Sequence, residues 1–112
     1  MENKLQEANL NTTAWKFLET NGELVYSIQF EEVPWKFRKA LQEAMKDWKQ
    51  VSYGWYKHNN NQLFVYRKAF DSLDEWTKWA ESFPMQIKEK RVWGDKEKII
   101  LHGKNKVKNA KS

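Results

Sequence analysis

The groups with reactive chemistry in this sequence are few and scattered. His58 and His102 carry imidazoles of the kind that act as general bases or metal ligands near neutral pH. One adjoins a turn and the other ends the last strand-like run, where surface histidines are the ordinary finding. Asp71, Asp74 and Glu75 cluster, but their place at the start of a helical pattern explains them as charge favourable to a helix N-terminus. No metal site is expected. Cysteine is absent, which excludes disulfides, thiol catalysis and the usual structural zinc sites. The four glycines are isolated, so no phosphate-cradling loop exists, and no Ser-His-Asp set has a local signature. Catalytic residues stay unassigned.

Aromatic rings are what sets the chain apart. It holds seven Trp, six Phe and four Tyr in 112 residues, and the stretch 51–82 alone contains eight of them. A buried ring removes ~150–250 Å² from water, so a core built of rings is small yet stable. Trp76 and Trp79 are three apart on one helix face, a spacing that core packing explains without further assumption. As pocket walls they would stack on a flat apolar ligand. Trp79, Trp76 and Tyr26 are the candidate ligand-binding residues, and no cofactor is expected. Cofactor-free oxygenation of an activated aromatic would need mainly positioning and deprotonation.

These residues need a scaffold, and periodicity supplies one. Residues 1–12 read as a flexible polar lead. WKFLETNGELVYSIQF gives two strands about Asn21-Gly22, the strongest two-residue hairpin signal, with Leu24, Tyr26, Ile28 and Phe30 alternating along the second. Pro34 opens a helix over 34–48, striped by Phe37, Ala40, Leu41, Ala44, Met45 and Trp48. Strands follow at 51–58 and 62–70. A two-residue loop at Asn59-Asn60 would pair Trp55 with Phe64 and Tyr53 with Tyr66, whereas a three-residue loop would slip the register. Ser72 with Glu75 makes a capping box for a second helix that Pro84 stops. MQIKEKRVW and KEKIILH close the chain as strands around Gly94-Asp95. The expected fold is α+β: a ferredoxin-like βαββαβ core with an antiparallel sheet, an extra N-terminal strand and a C-terminal hairpin, within one domain over 13–102.

Charge narrows the partners. Lys and Arg number 20 against 15 Asp and Glu, for a net +5. Residues 103–112, expected to be a disordered tail, hold four of the lysines and no acid. Without the tail sixteen basic residues face fifteen acidic ones, a balance of +1. The N-terminus lacks the apolar run of a signal peptide and no stretch approaches ~20 apolar residues, so a soluble cytoplasmic protein without a membrane partner is expected.

Two segments carry a family likeness. LVYSIQFEEVPWKFRKALQEAM is a strand ending in a Pro-started helix, and VSYGWYKHNNNQLFVYRKAFDSLDEWTKWAES runs strand, polar turn, strand and acidic-Ser helix start. Over residues 24–82 this resembles the dimeric α/β barrel superfamily, especially its antibiotic-biosynthesis-monooxygenase-like branch. The resemblance implies a homodimer packed sheet to sheet and a pocket between sheet and helices for a flat apolar molecule, with monooxygenase-like activity. Lys68 stands where that family often has a glutamate, and Trp79 where it often has a histidine. Haem degradation is not implied, because no histidine occurs between 59 and 101.

A non-enzymatic module for single-stranded nucleic acid or for another protein is the second reading. Rings set among Lys57, Arg67, Lys68, Lys88, Lys90 and Arg91 on a sheet face would stack bases and meet phosphates. Against it stand the near-neutral body and QLFVYRKAF, which keeps only the F-V of the known RNA-binding fingerprint.

Overall fold

The computed structural model describes residues 5, 8, 10–20, 23–93 and 96–103. Along the chain come β1 (Asn11–Thr20), β2 (Glu23–Val33), a 3-10 turn (Trp35–Phe37), α1 (Arg38–Ala44), β3 (Lys49–Trp55), β4 (Gln62–Phe70), α2 (Leu73–Ser82), β5 (Ile87–Trp93) and β6 (Lys96–His102). Among the described residues no helix is long and apolar enough to cross a membrane.

Local signals account for these elements. β2 buries Leu24, Tyr26, Ile28 and Phe30 and leaves the residues between them half-buried, as its alternation predicts. Ser72 caps α2, its Oγ accepting from the Glu75 N–H at 3.2 Å. α1 is shorter than the expected 34–48, because the chain tightens into a 3-10 turn before it and leaves it at Met45. The buried stripe of Phe37, Leu41, Met45 and Trp48 is continuous across those breaks.

The strand order corrects the expected ferredoxin-like arrangement. The described residues form one six-stranded mixed sheet, β3-β4-β2-β1-β5-β6, with only two short helices. The chain is therefore mostly β, and its sheet is not the antiparallel βαββαβ core. β1 lies in the middle, antiparallel to β2 from Asn11↔Glu31 to Thr20↔Glu23. Its other edge pairs β5 in parallel through Thr13↔Lys88, Ala14↔Glu89 and Trp15↔Lys90. The cause is local: a hairpin partner closes a very short loop, so β1 takes the edge of β2 that β5 would otherwise use. Asn21-Gly22, Gly94-Asp95 and the lysines of the tail after Gly103 lie outside the described residues.

The β3–β4 register also differs from both expected alternatives. Tyr53 pairs with Phe64 and Trp55 with Gln62, while the Tyr56 N–H donates to the Asn61 carbonyl at 2.9 Å to close the loop. Asn60 sits at φ 60°, in the left-handed region that Asn tolerates.

The helices cover one face of the sheet. Ala14, the four inner residues of β2, Phe64, Tyr66, Phe70 and Ile87 meet Leu41, Met45, Trp48, Trp76, Ala80 and Phe83 there. Leu5, ahead of β1, is fully buried in the same core. Residues that alternate to the other face are half-buried or exposed, apart from Thr13.

Candidate functional site

The three rings expected to touch a ligand do come together, but they pack on one another. Tyr26 of β2 stacks on Trp76 of α2 with centroids 4.0 Å apart and planes 10° from parallel. Trp76 lies 5.8 Å from Trp79, which in turn is 4.9 Å from Trp48 and 4.9 Å from Phe83. Tyr26 and Trp76 are fully buried, so the faces a flat ligand would need are already occupied. Trp79 alone of the three is only partly buried.

Beneath this stack is a polar cluster that sequence reasoning missed. Glu89 of β5 is 0% exposed and takes four hydrogen bonds. Trp76 Nε1 donates to its Oε1 at 3.0 Å and His102 Nε2 to the same oxygen at 2.7 Å. Arg91 Nε donates to Oε2 at 2.8 Å and the Tyr26 hydroxyl to the same atom at 3.3 Å. A carboxylate only accepts, so His102 carries a proton on Nε2. Burial pushes the Glu89 carboxyl up, but the hydrogen bonds from His102, Trp76 and Arg91 outweigh it and hold the group at about 2. Tyr26 is driven the other way, well above the ordinary tyrosine value, by burial and by Glu89 beside its hydroxyl.

A carboxylate that orients an imidazole is a familiar catalytic pairing. Here the other nitrogen, His102 Nδ1, is itself buried and has no hydrogen-bond partner among the described residues. With both residues shut inside the core, the cluster acts as a clamp that ties β2, α2, β5 and β6 together.

The remaining sequence candidates are at the surface. His58 lies beside Asn59 (3.0 Å) and 3.6 Å from Glu32. Asp74 pairs with Lys78 at 3.7 Å, and no group of metal-ligating side chains occurs among the described residues. The six cations expected on one sheet face divide. Arg91 turns inward to Glu89, and Lys68 sits 5.4 Å from the Phe70 ring on the helix side. Lys57 is in the turn after β3.

Arg67, Lys88 and Lys90 do share the open face, where Lys49 joins them. The registers set Ile99, Lys90, Trp15, Ser27, Arg67 and Lys49 in one row across all six strands. The next row reads Leu101, Lys88, Thr13, Gln29, Val65 and Ser52. At strand spacing each row spans about 24 Å. A register shift between Lys16 and Leu18 leaves Phe17 as an extra residue in β1. Its ring is 56% exposed and lies 4.1 Å from the Arg67 guanidinium carbon, a cation–π stack on the open face. Acids on the inward-outward alternation of β2 fall at the ends of this face. Glu31 is held by Asn11 (3.2 Å) and Gln29 (2.7 Å), and Glu23 starts the strand at the hairpin. The middle of the face presents cations and π surfaces together.

No protein-family model, no curated protein and no solved structure matches this chain.

Proposed function

We propose that this protein binds single-stranded nucleic acid on the open face of its sheet. The observation that carries the reading is the row Lys90, Trp15, Ser27, Arg67 and Lys49, with Lys88 alongside and Phe17 stacked under Arg67. Phosphates find positive charge along the row, and unpaired bases find rings and a guanidinium plane to stack on. Neither helix lies on this face, since both pack on the other side of the sheet, so no helix is placed there to enter a duplex groove, which favours single strands. The near-neutral body is no obstacle, because local charge decides: Glu89 is buried, Asp71 precedes α2, and Asp74 and Glu75 lie in its first turn. The four lysines of the tail after Gly103 add a salt-sensitive contribution. In this reading the protein works in the cytoplasm.

A small flat ligand between sheet and helices has less support, since Tyr26 and Trp76 occupy each other's faces. A two-fold dimer packed face to face would set Lys49, Arg67, Lys88 and Lys90 against a second set of like charges.

Fluorescence anisotropy of a labelled single-stranded oligonucleotide, titrated at several salt concentrations, tests the proposal. Four phosphate contacts on the open face give a log–log salt slope of about −3, which the lysines after Gly103 steepen. Arg67→Ala weakens binding and flattens that slope by about 0.7. Phe17→Ala costs about 1–3 kcal/mol of affinity and leaves the slope unchanged. No anisotropy change at low salt overturns the proposal. So does binding that survives Arg67→Ala and Lys88→Ala but vanishes when the tail is removed.

A further inference from the structure

β3 is an edge strand with unusual exposure. Every residue from Lys49 to Trp55 is exposed except Gly54, so neither face of the strand is covered. Its apolar members are large: Val51 is 39% exposed, Tyr53 64% and Trp55 56%. Trp35, 59% exposed, stacks beside Trp55 at 6.3 Å and 16°, with the Arg38 guanidinium 4.1 Å from its ring centre. The two edges of the sheet are built differently. β6 reads KEKIILH, three charged residues in its sequence ahead of exposed Ile99 and Leu101, and charge is what disfavours pairing at an edge. β3 has one charge, Lys49, at its far end.

We infer that β3 is the strand through which two copies of this chain pair, edge to edge and antiparallel, into one continuous sheet. The bulge between Gln50 and Ser52 limits the regular run to Ser52–Trp55. A two-fold axis at Tyr53 or Gly54 sets the Tyr53 and Trp55 rings of the copies against each other on the helix side. Ser52–Trp55 itself carries no charged side chain, in contrast to the open face. A Cβ built on Gly54 would meet nothing within 4 Å, so a neighbouring backbone has room to approach. The ladder is short, and the rings must supply most of the contact. Three half-exposed rings bring on the order of 300 Å² from each copy. With the ladder, the interface comes to about the 1,000 Å² that separates stable contacts from weak ones. Its partner is a second copy rather than a foreign strand, because the edge supplies both halves of a matched aromatic contact. This inference stands independently of nucleic-acid binding.

Light scattering on a sizing column decides it. The expected mass at micromolar concentration is twice 13.6 kDa. Tyr53→Lys, a change at an exposed side chain, raises the dissociation constant at least about tenfold, while its melting temperature in the dilute monomer stays at the wild-type value. Trp55→Ala acts in the same direction. A monomer throughout the micromolar range overturns the inference. A dimer indifferent to both changes, or one broken instead by Lys88→Glu, overturns it as well.

Discussion

Glu89 must be ionised in the folded protein, since four donors converge on its two oxygens, and this fixes the sign of a pH effect. Its carboxyl falls from 4.5 to about 2 on folding. A depressed carboxyl stabilises above its unfolded value and loses that contribution as pH falls through the folded one. The difference is about 3 kcal/mol. Urea titrations between pH 4.5 and 2 should show stability falling across that window. Glu89→Gln should flatten the dependence and cost about 2–4 kcal/mol at neutral pH, because it removes the buried carboxylate that the half-buried Arg91 pairs with. Trp76→Phe keeps the ring stack but removes one donor, for about 1–3 kcal/mol. None of this was legible in the sequence. In Lys88-Glu89-Lys90 the glutamate reads as one more solvated charge, and its partners His102, Trp76 and Tyr26 stand 13, 13 and 63 positions away. Trp76 and Trp79 were legible as one helix face, but the stacking of Tyr26 on Trp76 was not.

At the scale of elements, local chemistry was readable and pairing was not. The alternation of β2, the stripe through Trp48 and the Ser72 cap each rest on neighbours a few residues apart. Removing the cap with Ser72→Ala should cost about 1 kcal/mol of stability in thermal or urea melts. Strand order depends on which edge is free when a strand arrives, and alternation along a strand carries no record of that. The β3–β4 register was undetermined for a related reason: several loop lengths through Asn59, Asn60 and Asn61 suit the same turn-forming residues. Gly103, by contrast, has a need that only its geometry reveals. Its φ is +93°, and a Cβ there would fall 1.9 Å from the Met85 carbonyl oxygen. Gly103→Ala should therefore destabilise by about 1–3 kcal/mol through backbone strain, with the loss seen first beside it at His102.

For the molecule as a whole, net charge was a poor guide and its placement a better one. The chain's +5 pointed to the tail. The open face gathers Lys49, Arg67, Lys88 and Lys90 only because five strands meet in a register that composition cannot express. Centring β1 has a further result. The sheet is a four-stranded antiparallel body, β3-β4-β2-β1, joined to the β5–β6 hairpin by three parallel residue pairs. Beyond those pairs, the hairpin is held by α2 and by Glu89 reaching Tyr26 and Trp76. Such a seam makes the hairpin a separate cooperative unit, free to open while the larger body stays intact. Native-state hydrogen exchange should find β5 and β6 amides less protected than those of β2 and β4, and Glu89→Gln should widen the gap. Uniform protection across all six strands would show that the seam does not divide the protein.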